Sequence, residues 1–463
     1  MLLQPKKRKN LKSKFILWVS LIVISSIFFI LFIKFEGEKP SIIIDVTSDF
    51  FGLSQEITGK VSDSKSGLKK FVLKVVKEGK EIVLLDQEYP YHDLLRGGTL
   101  NNEPFKIIFE PKKLNISDGK AILKAEISDY SWRGWFKGNK TFWEKEIQID
   151  TKPPIIEVFS KSHNVRQGGC GLIIYKLSED CKESGVSVGG DFYPGYSGYF
   201  DKEDVFICFF ALNYMQDSDT EMFVRAFDLA GNLSKAGFYH YIINKKFKHD
   251  RIPISDSFLN KKMPEFGQVS TDPNSPTSLI DIFLMVNRDM RIKNGEIISK
   301  FAEKTDRKMY WDGLFLRLPN AAPKASFADT RKYLYKGEVI DEQVHLGIDL
   351  ASLAKSDVPA ANSGKVVMLE TIGIYGRTIL IDHGFGLMSV YSHLSQFNVT
   401  QNQLVSKGDI IGKTGDTGLA GGDHLHFSVL VNKTFVNPIE WWDESWIKNN
   451  ITSKLEEAKT YFK

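Results

Sequence analysis

The sequence predicts a mainly β chain of several folded units behind one N-terminal transmembrane helix. Three observations carry this: a charge-free apolar run near the start, two long stretches of short alternating strands, and a glycine-rich last third in which histidines concentrate.

At 463 residues, with 42% hydrophobic and 25% charged residues, the chain is globular in composition. That length suits roughly two to four domains. Formal net charge is +4, and Lys6, Lys7, Arg8, Lys9, Lys12 and Lys14 supply six positives before the first acid, leaving −2 for the remainder. The basic surplus is therefore a short head, residues 1–14, and no nucleic-acid partner is expected.

Residues 15–33, FILWVSLIVISSIFFILFI, carry no charge over nineteen positions, close to the roughly 20 residues that span a hydrocarbon core. The run is longer than a signal-peptide core and no small-x-small cleavage site follows it, so it predicts a retained transmembrane helix. Basic residues precede it, which keeps the head cytoplasmic and sends everything after Lys34 across the membrane.

Across residues 36–150 the segments SIIIDV, KKFVLKVV, EIVLLDQ, FKIIFE, AILKAEISD and KEIQID alternate with Gly, Asn, Asp and Ser clusters. This spacing predicts an antiparallel β-sandwich. After the join at Thr151-Lys-Pro-Pro154, residues 151–244 repeat the pattern with PIIEVFS, LIIYKLS, DVFICFF, EMFVRAFD and FYHYIIN, and predict a second sandwich. The phrase AFDLAGNLS, residues 226–234, resembles the last-hairpin signature of bacterial immunoglobulin-like envelope modules, with Gly231-Asn232 as its turn. Both sandwiches are read as immunoglobulin-like spacers able to meet envelope protein partners. Cys170, Cys181 and Cys208 permit one disulfide, with all three pairings open; no Cys-x-x-Cys spacing suggests zinc ligation by them.

Residues 245–318 pass from a loop rich in Asp, Pro and Ser into SLIDIFLMVNRDMRIKNGEIISKFAEK, whose apolar spacing predicts a partly helical connector. Residues 319–441 return to short strands, and 442–463 form a tail.

Five of the nine histidines fall in residues 319–441: His345, His383, His393, His424 and His426. In HLGIDLA, His345 and Asp349 are four apart, and either a helical turn or an extended stretch puts them on a common side. In DHLHFSVLV, the β-branched and apolar run predicts a strand, so His424 and His426 share a face. YSHLS adds His393. Ser66-Gly-Leu-Lys69 matches a Ser-x-x-Lys pattern but lies within a predicted strand of the first sandwich.

HLGIDLA, YSHLS and GDTGLAGGDHLHF together resemble the lysostaphin-like (LytM-type) peptidoglycan endopeptidases. The resemblance implies an antiparallel metallopeptidase domain of duplicated-hybrid-motif type, Zn2+ held by His345, Asp349 and His426, and catalytic histidines at His393 and His424. It implies a zinc endopeptidase acting on peptidoglycan cross-links or stem peptides, set on the bacterial inner (cytoplasmic) membrane with the bulk of the chain in the periplasm or cell-wall space. Lineages of the family that lost ligands activate amidases instead, so the alternative is a non-enzymatic peptidoglycan-binding or amidase-activating protein; the intact set argues against it. Ala328 departs from the family, which shows glycine before its arginine, and His383 is expected to be structural. Tyr335 is the nearest match to a transition-state tyrosine found in relatives. The Glu base of a His-Glu-x-x-His motif is absent from the chain.

Overall fold

The computed structural model describes residues 11–93, 97–268 and 278–462. The basic residues at 6–9 and the Asp-Pro-Ser loop over 269–277 lie outside the described residues. Leu11–Lys34 is a single helix. Its Ser13–Lys34 portion is the one helix among the described residues long and apolar enough to cross a bilayer, about 33 Å at 1.5 Å per residue.

The chain divides into two compact units. In the first, Ser41–Asp45, Gln55–Ser62 and Asn102–Phe109 form an antiparallel three-stranded sheet. Phe50–Phe51, Lys140–Ile149, Gly119–Asp129, Leu68–Lys77 and Lys80–Glu88 form a five-stranded one. Ile57, Val61, Phe105 and Phe109 of the smaller sheet share a core with Phe71, Leu73, Val75, Leu123 and Ile127 of the larger. Alternation from Phe71 to Lys77 buries every second side chain, as a half-buried strand requires.

The second unit holds residues 154–228 and 233–463. Cys170–Leu177 pairs with Val205–Ala211, and Cys181–Val188 with Met222–Asp228, giving two four-stranded sheets. Their core runs without a break into that of the C-terminal sheet: Phe209 meets Trp441, and Tyr193 hydrogen-bonds Thr434 at 2.9 Å. The three cysteines are free, Cys170 and Cys208 being buried. The tail is helical from Glu444 to Tyr461, and Lys454 Nζ donates to the Leu172 carbonyl at 3.1 Å.

The C-terminal sheet has the neighbour order Ala322–Ala325, Ile348–Ala351, Leu425–Val431, Leu387–Leu394, Gly376–Gly384, Gly364–Ile372, Leu404–Val405. Leu425–Val431 and Leu387–Leu394 are buried on both faces, so their mostly apolar runs are interrupted only by the buried Ser389, Ser392, His393, His426 and Ser428. A smaller sheet lies beside it: Asp329–Tyr335 pairs antiparallel with Glu338–His345 and, on its other edge, parallel with His249–Ile254. The segment read as a connector thus supplies a strand as well as the helices Asp256–Lys262, Leu279–Met285 and Arg291–Ala302. Ser255 and Ser278 cap the first two of these, accepting from Phe258 N and Asp281 N.

Candidate metal centre

The site is assembled by strand register. Asp349 pairs with His426 across adjacent strands, and His426 with Ser392 across the next. His345 ends the strand Glu338–His345, and the chain turns through Leu346-Gly347 into Ile348–Ala351. A Cβ on Gly347 would lie 2.5 Å from both His426 Nε2 and Ser428 Oγ, so only glycine lets the turn pass this close.

Three donor atoms converge. His345 Nε2 lies 3.0 Å from Asp349 Oδ1 and 3.0 Å from His426 Nδ1, and His426 Nδ1 lies 2.9 Å from Asp349 Oδ1. All three residues are at most 9% exposed. Each imidazole is oriented from behind: His345 Nδ1 donates to the Ser326 carbonyl at 2.9 Å, and His426 Nε2 contacts Ser428 Oγ at 3.0 Å. Arg331 Nη2 donates to the other Asp349 oxygen at 2.9 Å. Such outer contacts fix the ring and free the inner atom for a metal. Burial opposes ionisation of Asp349, yet the neighbouring His345 charge and hydrogen bonds from His345, His424 and His426 hold its carboxyl well below the usual range. Burial pushes His426 down to about 4, which keeps its imidazole neutral at ordinary pH.

His393 and His424 face each other beside this trio, ring centroids 4.7 Å apart. His393 Nδ1 donates to the Thr417 carbonyl and His424 Nδ1 to the Gly422 carbonyl, both at 2.8 Å. A carbonyl only accepts, so each ring turns its Nε2 toward the groove. His424 precedes its strand, bridging Gly415, and its Nε2 reaches to 3.5 Å from Asp349 Oδ1. Burial holds His393 well below its ordinary pKa; burial also lowers His424, but its hydrogen bond to Asp349 raises it overall.

Strict alternation would place His393 on the wrong side. Ser392 is the cross-strand partner of His426, so His393 belongs to the opposite face with Tyr391, whose ring packs on Phe427. His393 escapes through a left-handed backbone, φ 63°. That conformation is costly for a non-glycine residue and is typical of functional positions. Ala328, where the family shows glycine, is also left-handed at φ 62°, and its N–H donates to the His345 carbonyl at 2.7 Å.

These residues line a groove of about 310 Å³. Its walls include Ile252, Phe258, Phe283 and Arg291 from the connector, together with Tyr333 and Tyr375. None of these six was marked by sequence; only the two-residue step from Arg331 to Tyr333 along one strand face could have indicated any of them. Tyr375 is buried, its ring 5.6 Å from that of His426. Tyr335, the sequence candidate, lies elsewhere and donates to Asp256 Oδ1 at 2.9 Å. His383 is wholly buried between the Ser363 carbonyl and Ser389 Oγ, each at 2.8 Å, and does not reach the groove.

The model of peptidase family M23 matches residues 343–438. Over 97 residues the chain is 36% identical to the DD-carboxypeptidase/endopeptidase Mpg of Neisseria meningitidis serogroup B, a stretch covering 21% of this chain and 22% of that protein. Over 96 residues it is 36% identical to the peptidoglycan DD-endopeptidase ShyA of Vibrio cholerae, with the same shares. The chain thus spans about a fifth of the length of these curated relatives. Among solved structures, the catalytic domain of lysostaphin from Staphylococcus simulans is 28% identical, covering 27% of this chain and 94% of that one with a TM-score of 0.23. The five histidine and aspartate positions of the groove fall inside the matched residues, and residues 343–438 are a domain of peptidase family M23.

Proposed function

We propose that this chain is a zinc-dependent endopeptidase that hydrolyses peptide bonds in peptidoglycan cross-links or stem peptides. The observation that carries this reading is the convergence of His345 Nε2, Asp349 Oδ1 and His426 Nδ1 beside two further histidines in an open groove. Two imidazoles and one carboxylate suit zinc and leave it an exchangeable position. When bound there, zinc supplies Lewis acidity that polarises a peptide carbonyl and acidifies a water. The chain's own residues do the rest. His393 presents a free Nε2 that accepts a proton from the attacking water, and His424, whose Nε2 bonds Asp349, delivers a proton to the leaving amine. The groove wall from the connector holds the peptide and limits water around the reacting bond.

The helix Leu11–Lys34 supports single-pass anchoring in the cytoplasmic membrane, with the units behind it in the periplasm or cell-wall space. The sandwiches act as spacers, and any envelope partner would meet them. The names of the relatives support the peptidoglycan substrate.

The test is digestion of purified peptidoglycan by the full chain in detergent, with mass analysis of the fragments and metal analysis of the protein. Released peptides with about one zinc per chain are expected. Normally folded, unchelated protein without zinc or products would instead favour a non-enzymatic binding or amidase-activating role. The full chain is the proper material, because His249–Ile254 belongs to the sheet beside the site.

A further inference from the structure

A second ligand cluster lies in the first unit, where the chain leaves the membrane helix. Glu36, Asp63 and Asp129 each bring a carboxylate oxygen within 4.8 Å of the others. Glu36 is two residues past the helix end at Lys34, Asp63 directly follows the strand Gln55–Ser62, and Asp129 ends the strand Gly119–Asp129. Their exposures are 9%, 3% and 0%.

The hydrogen-bond partners of these carboxylates among the described residues are all neutral. Glu36 Oε1 accepts from Ser66 Oγ at 3.2 Å and Asn139 Nδ2 at 3.1 Å, and its Oε2 from the N–H of Glu38 at 2.7 Å. Asp129 Oδ1 accepts from the N–H groups of Ser131 and Asn139 at 3.0 and 2.7 Å, and its Oδ2 from Asn139 Nδ2 at 2.8 Å. Asp63 Oδ2 accepts from the N–H groups of Lys65 and Gly67 at 3.0 and 2.7 Å. Asp63 Oδ1 is buried without any partner. Lys65 turns instead to Glu38 at 3.2 Å, and no ion pair among the described residues involves the three acids. Like charges this close, out of water and with one oxygen orphaned, are costly unless a cation joins them. Burial, with the Asp63 charge adding to it, accordingly pushes Asp129 up to about 6.

We propose that Glu36, Asp63 and Asp129 bind a Ca2+ ion that fastens the exit of the membrane helix to the first sandwich. The donors are all hard oxygens, with no imidazole or thiolate to attract zinc. Ca2+ accepts six to eight such ligands in flexible geometry, whereas Mg2+ demands a near-ideal octahedron. Ser131 Oγ already ties the Lys34 and Glu36 carbonyls at 3.2 and 3.0 Å, so the ion would complete an existing clasp.

The test is calorimetric titration of CaCl2 into the zinc-loaded full chain in detergent, with MgCl2 as comparison. Wild type is expected to show saturable Ca2+ binding with Kd of about 1 mM or tighter. Asp63→Asn and Glu36→Gln should each weaken that binding about tenfold or more, since affinity follows ligand charge count. Glu38→Gln, which alters an exposed carboxylate bonded by Ser64 and Lys65 outside the cluster, should leave it unchanged. Absence of saturable uptake by wild type at about 10 mM, or undiminished uptake in the two site variants, would overturn the proposal. Should one variant fail to fold by circular dichroism, the other decides.

Discussion

Asp349 and the Glu36–Asp63–Asp129 cluster are both buried carboxylate sites, and they are held in opposite ways. Around Asp349 stand His345, His424, His426 and Arg331, donors that favour its charge. Around the cluster stand only amides and hydroxyls. The first is a mixed nitrogen and oxygen set, with Asp349 and His426 on paired strands of the C-terminal sheet and His345 at the end of a strand of the smaller one; the second is an oxygen set gathered at strand ends and the helix exit. The nitrogen and oxygen donors of the first therefore suit a borderline-soft metal, and the all-oxygen donors of the second suit a hard cation.

The largest effect expected is at the ligands. His426→Ala removes a donor and leaves Asp349 and His345 facing a gap, so zinc and peptidoglycan cleavage should fall together to background. Metal analysis beside the digestion assay checks this. If zinc stays, the convergence of the trio is not a metal site.

His424→Ala should keep zinc and lose about 10²–10⁴ in turnover, the usual range for a proton-transfer group. Near-normal turnover, or loss of zinc as complete as in His426→Ala, would erase the division between ligand and proton-transfer histidines. His393→Gly offers a sharper contrast, because it also relieves a left-handed backbone constraint at φ 63°.

A smaller loss, about 10–100-fold in metal affinity or activity, is expected for Arg331→Met. Arg331 holds the Asp349 oxygen that points away from the trio. Competition with a zinc chelator reads the affinity directly.

The converging trio was legible because its members lie in two short motifs, and alternation groups His424 with His426 even though His424 precedes the strand. Three things were hidden. Alternation misplaces His393, whose position depends on one unusual φ. The groove wall comes from HDRIPI, a polar stretch broken by Pro253 that carries no strand signal, yet it pairs in register with Asp329–Tyr335. The acidic cluster joins residues 93 positions apart, none in a motif. In the sandwiches most strands announce themselves by alternation. Gln55–Ser62 does not, because its buried residues Ile57 and Val61 are separated by Thr58-Gly59-Lys60, a polar and flexible interval.

Glu440 shows a third way to bury an acid, and gives the smallest effect. It is 6% exposed, accepts from the Cys170 N–H at 3.1 Å, and forms no ion pair among the described residues. Burial pushes its carboxyl up to about 7, with Cys170 hydrogen bonds and the more distant Arg166 and Lys245 charges pulling the other way. The folded protein thus holds a proton that the unfolded chain, near 4.5, has released. Its contribution to stability is fully present below pH 4.5 and is lost as pH rises through about 7. Glu440→Gln keeps an oxygen for the Cys170 N–H but cannot ionise. Relative to wild type it should melt a few degrees higher at pH 8 and about equally at pH 4.5, the difference reflecting at most about 3 kcal/mol. Thermal melts at the two pH values check this, and a Glu440→Gln advantage equal at both would mean that the buried acid stays charged, like Asp349, rather than protonated.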